Sequence, residues 1–98
     1  MNEINVERNE KDHRFEVRVG DEMARIDYSR SGKTLTLIHT EVPKAFEGKG
    51  VGGKLAQTAL EYARAESLKV VPSCPFVATY IRRHPAFMEL VAPDFKFT

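Results

Sequence analysis

Four glycines fall within the six residues 48–53 of the stretch Glu47-Gly48-Lys49-Gly50-Val51-Gly52-Gly53-Lys54, and that density lets a backbone come close to a ligand. The stretch opens an amphipathic segment. At a helix start the unpaired N–H groups and the positive end of the dipole favour an anion, a phosphate above all. The groups that would cradle it are Lys49, Gly50, Val51, Gly52, Gly53 and Lys54. The plainer alternative is a glycine-rich turn that only reverses the chain. Upstream, His39 and Glu41 share strand parity, so their side chains project from one face about 7 Å apart along the strand. Either could take a proton from an attacking group, or they could be a hydrogen-bonded histidine and a solvated strand-end charge. Downstream, Cys74 directly precedes a proline-opened helix, where terminal N–H groups favour the nucleophilic thiolate; the alternative is a small buried filler. Arg82, Arg83 and His84 gather near a helix end, where the dipole favours cations in any case.

The glycine run fits two nucleotide motifs incompletely. Gly48, Gly53 and Lys54 have the spacing of a triphosphate P-loop, but Leu55 stands where a Ser or Thr should hold Mg²⁺. Gly48, Gly50 and Gly53 also satisfy GxGxxG. A dinucleotide fold, however, needs a parallel sheet built from repeated βαβ crossovers, and one long helix after a meander does not supply it.

The positioning elements can be read from periodicity. Phe15, Val17 and Val19 alternate with Arg14, Glu16 and Arg18, the pattern of a strand with one face in water. After the Gly20-Asp21 turn, Glu22 to Ser29 carries Ala24, Ile26 and Tyr28 on one face. Ser31-Gly32-Lys33 is the next turn, and Thr34 to Val42 is a third strand, giving an antiparallel meander. A short strand around Ile4 and Val6 is expected at its edge. Val51, Leu55, Ala56, Ala59, Leu60 and Ala63 then recur at helical spacing, predicting an amphipathic helix from about Val51 to Ser67 that packs on the sheet. Lys69-Val70-Val71 is a brief strand. Phe76 to Arg83 is a second helix with Pro75 near its first turn, ended by His84-Pro85. Ala86 to Val91 is one more helical turn, and the tail from Ala92 has no assignment.

Composition bounds the reading further. The 98 residues, 42% hydrophobic and 30% charged, are expected to form a single α/β (α+β) domain, 1–98, with one core. A formal net charge of +1 argues against a nucleic-acid binder, which usually carries a marked basic excess. No apolar run approaches the roughly 20 residues of a membrane span, and the polar N-terminus lacks the apolar core of a secretory signal, so a cytoplasmic protein is expected. The lone cysteine excludes an internal disulfide and any Cys-rich zinc site, and no metal is expected.

The strand end Glu41-Val42-Pro43, a short loop, then Gly50-Val51-Gly52 opening a helix resembles the acetyl-CoA pyrophosphate loop of the GCN5-related N-acetyltransferases. Glu47 departs from the Arg or Gln of that family's loop pattern, and Lys49 and Lys54 could compensate. His39-Thr40-Glu41-Val42-Pro43, Gly48-Lys49-Gly50-Val51-Gly52, Val71-Pro72-Ser73-Cys74-Pro75-Phe76-Val77 and Tyr80-Ile81-Arg82-Arg83-His84-Pro85 together resemble the short, single-domain branch of that superfamily. The resemblance implies an acetyl-CoA or CoA cofactor and transfer of an acetyl group to an amine acceptor. It places Glu41 and Val42 along the pantetheine arm, Val70 and Val71 on the opposing strand, and gives Arg83 a phosphate contact. Cys74 suits a covalent acetyl-cysteine route, His39 or Glu41 a direct one, and Tyr80 is either packed or a proton donor to a leaving thiolate. The rival reading is a CoA-binding or protein-interaction module that kept the fold and lost efficient chemistry.

Overall fold

The computed structural model describes residues 4–97. Five strands, β1 (Glu7–Asn9), β2 (Arg14–Val19), β3 (Glu22–Ser31), β4 (Thr34–Glu41) and β5 (Lys69–Pro72), form one sheet in chain order. The first four are antiparallel; β5 runs parallel to β4, reached by the crossover helix α1 (Val51–Ala65). Helix α2 (Pro75–Arg83) and a 3₁₀ segment, Pro85–Leu90, follow. Two-residue turns set the meander's register: Gly20 and Gly32 take positive φ at the first turn position, 60° and 59°. A turn that starts with positive φ matches strand twist and favours glycine there.

One face of the sheet is dry. Phe15, Val17, Ala24, Ile26, Tyr28, Leu35 and Leu37 pack in one core with Leu55, Ala56, Ala59, Leu60 and Ala63 of α1. The three buried alanines of the helix let its backbone lie close to the sheet, as the helical spacing predicts. The opposite face carries charge. Glu16 on it is only 6% exposed, because Arg14 and Arg18 fold over it, donating from Nε at 2.8 and 3.1 Å. Burial works against its charged form, but hydrogen bonds from Arg14, Arg18 and Asn9 outweigh that and hold its carboxyl below the usual range. The alternation predicts an Arg14–Arg18 face wholly in water; the arginine stems are what cover its centre. Val19, last before the turn, is 58% exposed.

Other boundaries move for local reasons. The edge strand forms at Glu7–Asn9, while Ile4 and Val6 pack against the core beside it. Helix α1 stops at Ala65 rather than Ser67 because Ser67 adopts φ 57°. Ser67 N–H donates to Arg64 O at 3.2 Å and Leu68 N–H to Ala63 O at 2.8 Å, the two bonds of a Schellman closure, a place usually held by glycine. The tail acquires structure: Val91 bridges Val70 in parallel and Ala92 N–H donates to Val70 O at 2.8 Å. Thr98 lies outside the described residues. Among them no helix is long and apolar enough to cross a membrane.

The left-handed conformation costs an L-residue roughly 1–2 kcal/mol, and glycine almost nothing. Ser67→Gly is therefore expected to stabilise the protein by roughly 0.5–1 kcal/mol after glycine's extra unfolded-state entropy is subtracted. Thermal or urea unfolding checks it; an unchanged or lower midpoint would mean that the serine makes contacts that offset its strain.

Candidate functional site

Strand β4 is the common wall of the candidate site. Its pairing with β5 runs from Thr34 opposite Lys69 to Leu37 opposite Pro72, and Cys74 N–H donates to Leu37 O at 3.0 Å. There the chain leaves the sheet and starts α2 at Pro75. On its other side β4 stays paired with β3 as far as Glu41, but the register shifts where Tyr28 faces Leu37 and Asp27 faces His39. Ile38 is the extra residue of this β-bulge, which bends the strand and re-aims the side chains beyond it. From Ile38 to Glu41, β4 therefore has an edge that β5 does not cover.

The bulge decides which groups meet. Thr40 lies opposite the buried Ile26, so it points to the core side. Its Oγ1 is 3.0 Å from Cys74 Sγ, and Cys74 is only 3% exposed. His39 and Glu41, paired with Asp27 and Arg25, project from the charged face. His39 Nε2 is 3.7 Å from Glu41 Oε1, as their shared parity predicts. Glu41 Oε1 also lies 3.1 Å from Arg25, which donates to Asp27 at 3.0 Å. The predicted catalytic groups thus form two sets on opposite sides of one strand, and among the described residues neither a hydrogen bond nor an ion pair joins Cys74 to His39 or Glu41. Val42 is half-buried against the core at the strand's end.

The glycine loop lies at the start of α1. Gly48 and Gly50 take φ of 77° and 76°, and Gly50 is the N-cap, with no side-chain cap and no acidic residue in the first turn. The first intrahelical bond is Lys54 N–H to Gly50 O, at 3.0 Å. The amides of Val51, Gly52 and Gly53 precede it, so the positive end of the helix is left uncapped by the chain's own carboxylates. Lys49, Lys54 and Glu47 are all exposed. Gly52 also answers to packing: a Cβ there would sit 2.8 Å from Phe76 Cζ. The α2 ring, 42% exposed, leans over the loop.

Next along α2, Tyr80 lies beside Gly53 and stacks on His84, centroids 4.0 Å apart and planes at 19°. Burial, with the Glu61 carboxylate nearby, pushes the Tyr80 phenol above its usual range, so it keeps its proton. Arg83 is exposed on the last turn of α2. Thr40, Arg25 and Phe76 were not legible as site residues. Thr40 turns inward only because of the bulge, and strict alternation carries no signal of an inserted residue.

The chain matches the family described as GCN5-related N-acetyl-transferase over residues 14–90. It is also similar to Protein NATD1 of Xenopus tropicalis, 35% identical over 95 residues, covering 92% of this chain and 87% of the relative. Protein NATD1 of Homo sapiens is 33% identical over 95 residues, covering 92% and 84%. This chain belongs to the GCN5-related N-acetyltransferase family. The fold of a GCN5-like protein from Staphylococcus aureus, solved by solution NMR, matches with a TM-score of 0.73 over 94% of this chain and 91% of that one, at 24% identity. The mixed α/β fold that the sequence implies is thus the family's fold, and the family typically uses acetyl-CoA.

Alanine in place of a helical glycine normally stabilises by about 0.5–1 kcal/mol. In Gly52→Ala the Phe76 ring must move first, so the gain should be lost or reversed, and restored when Phe76→Ala removes the ring. A double-mutant cycle on unfolding free energies should give a coupling of about 0.5–1 kcal/mol. Additive effects would mean that the ring swings aside without cost.

Proposed function

We propose that the protein is an acetyl-CoA-binding acetyltransferase that acetylates an amine. The observation that carries the reading is the uncovered β4 edge at Ile38–Glu41, which holds Thr40 against Cys74 and is followed in the chain by the uncapped glycine loop. An extended pantetheine-like chain needs a strand edge to hydrogen-bond, and a pyrophosphate needs free amides with close backbone approach. When bound, acetyl-CoA supplies a thioester whose acyl carbon is open to attack. The residues that would hold it are Val42 on the strand, Lys49, Gly50, Val51, Gly52, Gly53 and Lys54 at the loop, and Arg83 on α2.

An amine must lose a proton to complete its attack on an acyl carbon. His39 is exposed on the charged face and is the group placed to take that proton, with Glu41 Oε1 3.7 Å from its Nε2. Arg25 in turn fixes Glu41. On the other side of the strand, Thr40 holds the thiol of Cys74 in one orientation; a thiol route needs that sulfur to exchange its Thr40 contact for the acyl carbon. Tyr80, protonated and beside the loop, could return a proton to a departing thiolate.

Ligand at 100 times its dissociation constant stabilises a protein by about 2.7 kcal/mol, and each kcal/mol raises the melting temperature of so small a domain by about 4–8 °C. CoA and acetyl-CoA should thus raise it by more than about 10 °C; no shift at millimolar ligand would overturn the cofactor assignment. With acetyl-CoA alone, the thiol route leaves one hydroxylamine-labile acetyl group on the peptide containing Cys74, and Cys74→Ala keeps binding but loses transfer. If Cys74→Ala transfers at the wild-type rate while His39→Ala or Glu41→Gln is about 100-fold slower, a typical general-base effect, attack is direct. CoA binding with no acetylated amine in a mass-spectrometric screen would favour the binding-module reading.

A further inference from the structure

At the end of α1 remote from the glycine loop, a cavity of about 320 Å³ lies between the β1–β2 hairpin, β3 and Tyr62. Two guanidinium groups line it. Arg8 donates to the Tyr28 hydroxyl at 3.4 Å and lies over the Tyr62 ring, 4.7 Å from its centroid. Arg30 donates to the Tyr62 hydroxyl at 2.8 Å. A phenol that accepts from a guanidinium still has its own proton to give, and among the described residues neither hydroxyl is paired with a protein acceptor. His13 completes the wall, edge-on to Tyr28 with centroids 5.8 Å apart.

Of the two carboxylates near these arginines, Glu10 lines the cavity and Glu66 lies outside its lining. Glu10 is 3.9 Å from Arg8 and 81% exposed, and Glu66 is 3.7 Å from Arg30 and 48% exposed. Both distances exceed the roughly 2.7–2.9 Å of a charge-assisted hydrogen bond. Two guanidinium groups and two phenol hydroxyls therefore line a space whose one carboxylate, Glu10, stands 3.9 Å from Arg8. Nothing in the proposed acetyl transfer uses it: Tyr62 lies about 15 Å along the helix axis from Gly52.

We propose that this cavity is a second anion site, which binds inorganic phosphate or the phosphoryl group of a small soluble molecule. The ligand's oxygens accept from Arg8, Arg30 and the Tyr28 and Tyr62 hydroxyls, displacing the long pairs to Glu10 and Glu66. The negative end of the α1 dipole lies on this side, so binding depends on both arginines together.

The test is an NMR titration of the whole protein with inorganic phosphate and with phenyl phosphate, at constant ionic strength set with chloride. Saturable shifts at His13, Tyr28 and Tyr62, distinct from any at residues 48–53, are expected. Tighter binding of the ester would mark an organic phosphate as the ligand, and equal binding the free ion. Arg8→Gln and Arg30→Gln should each weaken binding about tenfold, the equivalent of one charge-assisted hydrogen bond, and should leave the CoA-induced melting shift intact. Tyr62→Phe keeps the ring and removes only the hydroxyl, so it should weaken binding in a protein whose fold is preserved. Shifts that do not saturate, that stay within the glycine loop, or that survive Arg8→Gln/Arg30→Gln would overturn the proposal.

Discussion

One inserted residue in β4 governs the candidate site. Without the bulge at Ile38, alternation from Leu35 and Leu37 would carry His39 and Glu41 to the core side and turn Thr40 out. With it, the polar pair faces water and Thr40 reaches Cys74. The reversal avoids a cost as well as making a contact, since an imidazole and a carboxylate buried without adequate partners would be expensive. It also coincides with the point at which β5 leaves β4, so the bent strand offers backbone on one edge and side chains of different chemistry on its two faces.

That strand is held rigidly from both ends. Leu35 and Leu37, fully buried, anchor its first half in the core, where α2 packs on the strand, and Arg25 bridges Asp27 and Glu41 across its second half. Helix α1 packs mainly on β2 and β3 and carries the glycine loop at its N-terminus, so the loop is fixed to the sheet that holds β4. Phe76 joins the second helix to this arrangement through the space a side chain at position 52 would take. Loop, strand and α2 are thus placed by contacts of side chains that do no chemistry themselves.

Much of this was legible in the residues. Paired glycine turns, alternation in β2 and β3, and the Val51–Ala63 helical spacing each reflect a local rule, and local rules can be read without coordinates. The glycine-rich helix start and the shared parity of His39 and Glu41 belong to the same class. What escaped depends on pairing between distant segments or on a single dihedral angle. The bulge exists only in the register of β4 against β3. The arginine cover over Glu16 needs side chains that fold back across the sheet. The early stop of α1 rests on Ser67 entering a conformation its side chain disfavours, while the helical periodicity runs on past it.

The tail of the chain has a consequence for association. A terminal strand displays a row of unpaired backbone groups that can recruit another sheet, and β5 would be such an edge. Val91 and Ala92 bond to Val70 along that edge and act as a short guard strand. The family match ends at residue 90, just before the guard begins. A chain trimmed to the matched span would retain the glycine loop, the bulge and both helices, yet it would expose an edge prone to intermolecular β-pairing. Its solubility would then rest on residues that take no part in the site.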